Sequence, residues 1–230
     1  MPSEDPAFAP EPAVRQDSAH WAAAAAADLE RVLDALARRD SWDSQETAAL
    51  AQSLIDRRRK LLEAVRRLKS AHGALLKTRV HGDFHLGQVL VAQGDAVLVD
   101  FEGEPARSLA ERRAKTSPAK DVAGLLRSFD YAEAMLSAEG APVDTPSLER
   151  RRAALDIWRQ SASAAFLDAY RSVAETQPHP WLRTSKEQEI IDIFLIEKVA
   201  YEIGYEIANR PAWLQVPLRG LDRLARRLLA

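Results

Sequence analysis

The sequence predicts a mainly α-helical chain that carries one small β-hairpin. Three observations predict it. Apolar residues recur at three- and four-residue steps through most of the 230 positions. Strand-like runs occur only between residues 78 and 101, and a Gly-containing turn, Gln93-Gly94-Asp95, separates two of them. Hydrophobic residues make up 47% and charged residues 29%, which is enough apolar surface for a sizeable core under a solvated exterior.

The elements follow in order. Residues 1–17 hold Pro2, Pro6, Pro10 and Pro12 without a periodic pattern and read as an extended arm, leaving 18–230 as one lobe. Ser18 is an N-cap for a helix in which Trp21, Ala25, Leu29, Val32, Leu33 and Leu36 share a face. A second long helix is expected over 44–70, through Leu50, Leu54, Leu61, Val65 and Leu68, with Gly73 at or just beyond its end. The run 78–80 leads into His81-Gly82-Asp83, and the runs 88–92 and 96–101 form the hairpin. After Pro118 the pattern is helical again over 119–137, 146–174, 185–209 and about 218–229.

Composition excludes several classes. A net charge of −2, from 32 basic and 34 acidic residues, argues against nucleic acid as a partner. The basic runs Arg57-Arg58-Arg59-Lys60 and Arg150-Arg151-Arg152 lie in helical patterns and read as solvated faces. Without cysteine there is no disulfide, thiolate nucleophile or thiolate metal site, which fits a reducing cytoplasm. The N-terminal stretch lacks a signal-peptide pattern, and the apolar run 22–27 is far short of the roughly 20 residues that span a bilayer. The expectation is a cytoplasmic protein with no membrane partner.

The chemistry is concentrated in His81-Gly82-Asp83-Phe84-His85-Leu86-Gly87-Gln88, followed by Asp100-Phe101-Glu102-Gly103-Glu104-Pro105. Phosphoryl transfer needs an oriented hydroxyl and divalent cations on the phosphates. Asp83 can accept the proton, and Gln88 and Asp100 can hold metal. Antiparallel pairing sets Gln88 beside Asp100, with Asp83 on the loop over the same site. Gly82 and Gly87 allow the tight backbone, and His81 is expected to hold the loop in shape. Either motif alone reads as an ordinary turn; their order, with a hairpin between them, argues for a catalytic site.

These motifs resemble the signature of bacterial maltokinases. So do Ser117-Pro118-Ala119-Lys120-Asp121, Glu197-Lys198-Val199-Ala200-Tyr201-Glu202 and Asn209-Arg210-Pro211-Ala212-Trp213. Members of that family have a kinase-like fold shared with aminoglycoside phosphotransferases and act alone or fused to trehalose synthase. The resemblance implies a protein-kinase-like C-terminal lobe of α+β type. It implies ATP-dependent phosphorylation of maltose to maltose 1-phosphate, in trehalose- and glycogen-related metabolism. Asp83 would orient the sugar hydroxyl, and Gln88 and Asp100 would bind Mg2+. Glu102, standing where protein kinases have Gly, is a candidate for the metal shell.

The resemblance also suggests that the C-terminal helical region lines the sugar pocket. His85, Tyr201, Glu202, Tyr205, Glu206, Arg210 and Trp213 are the candidates for substrate binding. Tyr201 with Tyr205, and Glu202 with Glu206, are i,i+4 pairs on neighbouring stripes of one helix. Aromatics at that spacing are more often core, and paired Glu more often solvated. Trp21, Trp42 and Trp158 read as packing residues. Arg107, Arg112, Arg113 and Asp121 read as braces for the segment after Asp100. His20, His72, His85 and His179 have no spacing suited to zinc.

A kinase-like enzyme also has an N-terminal lobe of strands, with a glycine-rich loop and a phosphate-gripping Lys. The stretch before Asp83 is arm and helices, and the first glycine is Gly73. The expectation is therefore a C-terminal lobe with its N-terminal lobe absent, completed by a separate lobe or by trehalose synthase. Two other readings stay open: a non-catalytic remnant that binds sugar or a partner, and a phosphotransferase for another small hydroxyl substrate such as an aminoglycoside.

Overall fold

The computed structural model describes residues 5–68, 75–105, 107–138, 145–177 and 187–230. The expected stop at Gly73, the start at Ser185, Pro2, Ala106, His72 and His179 lie outside the described residues.

Eight α-helices and four short strands make up the described residues. Strand β1 (Glu11–Pro12) precedes α1 (Arg15–Ala37), α2 (Gln45–Asp56) and α3 (Arg58–Arg67). Then come β2 (Leu76–Lys77), β3 (Val89–Ala92) and β4 (Asp95–Leu98). The chain ends in α4 (Leu109–Arg113), α5 (Ala119–Ala138), α6 (Thr145–Glu175), α7 (Glu187–Asn209) and α8 (Gln215–Leu229). A mainly helical chain with a small hairpin is what the sequence predicts. The hairpin is β3–β4, antiparallel, with Val89 opposite Leu98 and Ala92 opposite Asp95. Among the described residues, no helix is long and apolar enough to cross a membrane.

Three local readings change. The first helix begins at Arg15, because Asp17 accepts a hydrogen bond from the Val14 amide at 2.7 Å and caps the chain there. Ahead of it, Glu11 and Pro12 pair with Lys77 and Leu76, a two-stranded ribbon the proline pattern did not suggest. The single helix expected over 44–70 is two helices broken at Arg57. Arg57 donates to the Ser53 carbonyl at 2.9 Å and pairs with Asp222 of α8, so its side chain ties the break to another helix. The basic run 57–60 is a solvated, ion-paired face as expected: Arg58 pairs with Glu30 and Asp34, and Arg59 with Glu63.

α7 runs through the centre. Ile190, Ile191, Ile193, Phe194 and Ile196 are all buried, so its first half is apolar around most of its circumference. A helix of that kind must be enclosed, and α1, α5 and α8 pack against it. Trp21 of α1 meets Phe194 with ring centroids 5.5 Å apart. Leu29 and Leu33 of α1 are fully buried in the same core. Leu29→Ala should cost about 3 kcal/mol of unfolding free energy in a denaturant titration. A loss below about 1 kcal/mol would show that α1 and α7 are not tightly packed.

Candidate active site

The loop from His81 to Gln88 is held from two sides. His81 is buried, and its Nε2 lies 2.8 Å from the Val99 carbonyl, which can only accept, so Nε2 carries the proton. Its ring packs against Phe84 and Phe101, with centroids 5.5 and 4.9 Å away. On the other side, Asp121 of α5 accepts from the amides of His81 at 2.7 Å and Gly82 at 2.9 Å. Burial pushes the Asp121 carboxyl above its ordinary range, and the two amides pull in the opposite direction.

Farther along α5, Ser128 accepts from the Leu86 amide at 3.1 Å. At Gly124 a Cβ would stand 2.4 Å from the Phe84 carbonyl, so only glycine lets helix and loop touch there. Asp121, Gly124 and Ser128 lie at i, i+3 and i+7 on one face of α5, a spacing that could have identified the brace from sequence. Gly82 itself has φ of 84°, a left-handed conformation that glycine adopts without strain.

The hairpin brings Gln88 and Asp100 together: the Gln88 amide donates to Asp100 Oδ2 at 3.0 Å. Asp100 has φ of 63°, uncommon for a residue with a side chain and frequent at functional sites. Glu102 is exposed, and its backbone carbonyl accepts from Arg112 at 3.1 Å.

Asp83 faces α7 rather than the hairpin. Lys198 donates to Asp83 Oδ1 at 3.0 Å, and its Nζ lies 3.6 Å from Glu104 Oε2. Burial works against the Lys198 ammonium, but Asp83 and then Glu104 outweigh it and hold its pKa above the ordinary value. Tyr201 donates to Glu104 Oε1 at 2.9 Å. Burial and that carboxylate together push the Tyr201 phenol up.

A cavity of about 620 Å³ opens beside Asp83. His85, Tyr201, Glu202, Tyr205, Glu206 and Arg210 line it with Asp83, so the structure gathers six of the seven candidate sugar residues. Trp213 stands behind them, stacked near Tyr131 at 6.5 Å and under the Arg210 guanidinium at 5.8 Å. Lys198, Glu104 and Tyr131 also line the cavity, and the sequence reading assigned them no role. For Lys198 a signal existed: it lies three and four residues before Tyr201 and Glu202, on the same helical stripe.

The polar residues reverse the usual pattern. Glu202 and Glu206 are buried, whereas Tyr205 is 42% exposed. Glu202 accepts two bonds from Arg127, at 2.8 and 2.6 Å, and Arg127 also pairs with Asp130. Burial pushes the Glu202 carboxyl up, and Arg127 offsets part of that. Glu206 accepts from Tyr131 at 2.9 Å and from both Nε and Nη2 of Arg210, at 3.0 and 2.6 Å.

No family model matches the chain. It is similar to a glucosamine kinase of Streptacidiphilus jiangxiensis, 32% identical over 155 residues, covering 65% of this chain and 32% of that protein. It is also similar to a glucosamine kinase of Mycolicibacterium smegmatis, 33% identical over 212 residues, covering 87% of this chain and 50% of that protein. The chain thus spans half or less of the length of the curated relatives it matches. Among solved structures it matches glucosamine kinase in complex with glucosamine, ADP and inorganic phosphate. That match has a TM-score of 0.74 at 25% identity, over 94% of this chain and 46% of that one. A second crystal form of glucosamine kinase gives a TM-score of 0.75 at 25% identity, over 95% of this chain and 48% of that one.

These matches correct the maltokinase resemblance. The relatives are glucosamine kinases, so maltose as substrate, maltose 1-phosphate as product, the trehalose and glycogen setting and a trehalose synthase partner are withdrawn. The aminoglycoside phosphotransferase alternative falls with them. The physical reason is that His81-Gly82-Asp83 and Asp100-Phe101 were read for phosphoryl-transfer chemistry, which kinases of different sugars have in common. They say little about which sugar supplies the hydroxyl.

Asp121→Ala removes the acceptor for two loop amides. Hydrogen exchange at His81 and Gly82 should then speed up by roughly tenfold or more, the equivalent of about 1.5 kcal/mol lost. Unchanged exchange would show that α5 does not brace the loop.

Proposed function

We propose that the chain carries the catalytic residues of an ATP-dependent kinase acting on glucosamine or a closely similar amino sugar. The observation that carries this reading is the placement of Asp83 on the wall of a carboxylate-rich cavity of about 620 Å³, at the other end of the loop that leads to the Gln88–Asp100 pair. A volume of that size suits a small ligand. Similarity to glucosamine kinases supports both the reaction and the substrate class.

The cavity electrostatics favour a cationic sugar. Asp83, Glu104, Glu202 and Glu206 supply four carboxylates to its lining, against Lys198 and Arg210, with Arg127 buried behind Glu202. An ammonium-bearing sugar relieves that negative excess. Tyr201 and Tyr205, with centroids 6.3 Å apart, offer an apolar wall for a sugar ring.

The metal donors fit Mg2+. The Gln88 amide nitrogen is used on Asp100 Oδ2, which leaves the Gln88 amide oxygen and Asp100 Oδ1 as hard oxygen donors. No cluster of three or more His, Asp or Glu groups occurs among the described residues. Mg2+ is commonly held by one or two carboxylates together with phosphates and water. When bound, the metal neutralises charge on the transferring phosphates.

In this reading Asp83 accepts the proton of a sugar hydroxyl while that oxygen forms its bond to the γ-phosphorus of ATP. The bond from that phosphorus to the bridging oxygen breaks, and its electron pair leaves with ADP. His81 and Asp121 keep the loop in place, and the cavity wall orients the sugar. We further propose that residues 18–230 correspond to a protein-kinase-like C-terminal lobe with residues 1–17 as its arm, working in the cytoplasm, where ATP is available.

Three outcomes test the proposal. Asp83→Asn should lower kcat at least 100-fold with little change in sugar affinity, the range typical of a lost general base; retained turnover would remove Asp83 from that role. Asp100→Asn should abolish magnesium-dependent nucleotide binding, read by titration calorimetry with and without Mg2+. In a coupled ADP-release assay, glucosamine should exceed glucose in kcat/KM by tenfold or more, about 1.4 kcal/mol. Equal use of glucose would refute the electrostatic argument for an amino sugar.

A further inference from the structure

We propose that Lys198 is the positioning residue for Asp83, and that Glu104 and Tyr201 in turn position Lys198. This rests on the kinase reading given above. Three separate segments meet at the Lys198 ammonium. The loop supplies Asp83 at 3.0 Å, and the chain after β4 supplies Glu104 at 3.6 Å. α7 supplies Lys198 itself and the Tyr201 ring, whose centroid is 5.1 Å away. Tyr201 then donates to Glu104 Oε1 at 2.9 Å, which leaves Glu104 Oε2 toward the ammonium.

A simple alternative is an ion pair that only staples the loop to α7. The loop backbone, however, already has its braces in His81, Asp121, Gly124 and Ser128. Lys198 holds something those braces do not, the Asp83 side chain. Among the described residues, Lys198 is the donor that fixes that carboxylate, and it takes only Oδ1. Asp83 Oδ2 accepts no hydrogen bond from a donor among the described residues, as suits a base that must receive a substrate proton. The pair is partly desolvated, with 24% and 21% of the two side chains exposed, so it is better shielded from solvent than a surface pair.

Placement of a reacting group matters steeply: a displacement of about 1 Å can cost on the order of 100-fold in rate. Lys198→Met in the full chain is therefore expected to lower kcat for glucosamine phosphorylation about 100-fold, with KM for sugar and for ATP within about threefold. Lys198→Arg, which restores a cation on a different stem, should recover at least a tenth of the wild-type kcat. A purely structural staple would instead lower the melting temperature of Lys198→Met and leave the kcat of the folded enzyme near wild type.

Turnover of Lys198→Met close to wild type overturns the inference, as does a rise in KM alone, which would make Lys198 a sugar contact. Lys198→Arg no better than Lys198→Met overturns it too. If the wild-type chain transfers no phosphate to glucosamine, the kinase reading fails and this inference with it. An active wild type with an indifferent Lys198→Met sinks this inference alone.

Discussion

The structure depends on the burial of α7. Its first half, from Ile190 to Ile196, is apolar around most of its surface and must be enclosed by α1, α5 and α8. Its second half is still buried along one face, but that face carries Glu202 and Glu206. A carboxylate taken out of water is costly unless it is paired and hydrogen-bonded. That requirement decides where the next residues stand. Arg127 is drawn to Glu202, and Tyr131 and Arg210 to Glu206. The cavity wall follows from desolvation cost as much as from any need to bind a ligand.

α5 transmits this order to the loop. One face, through Arg127 and Tyr131, meets the carboxylates of α7. The adjoining stripe, through Asp121, Gly124 and Ser128, holds the loop backbone. Because both stripes belong to one rigid helix, the loop is placed in register with the cavity wall. Lys198 closes the arrangement from the opposite side by bonding Asp83 directly. The left-handed backbone at Asp100 is a locally unfavourable feature at the site, and the β3–β4 pairing and the Gln88 bond help hold it.

What could be read in advance was local. Helix α1 shows its apolar stripe from Trp21 to Leu36, and the hairpin announces itself by Gln93-Gly94-Asp95 between two β-rich runs. The pairing of Gln88 with Asp100 followed from the hairpin, and the shaping of the loop by His81 from its motif. The break at Arg57 was not legible, because the residue that accounts for it, Asp222, lies on α8. The burial of Glu202 and Glu206 was not legible either. A Glu pair on a helix normally points to water, and only the central position of α7 turns it inward. The maltokinase resemblance misled for a related reason: it rested on the loop and hairpin motifs, whereas the cavity beside Asp83 is assembled from distant helices.

The sequence by itself determined the helical class, the hairpin, and the order of Asp83, Gln88 and Asp100 along the chain. Each rests on contacts within a few residues, where periodicity and turn chemistry act. The tertiary structure decided which charges meet. Arg127 finds Glu202 across 75 positions, and Lys198 finds Asp83 across 115. Pairs so far apart have no local propensity to reveal them. They form because packing removes water from charges that then need partners, and only the folded chain determines which partners are within reach.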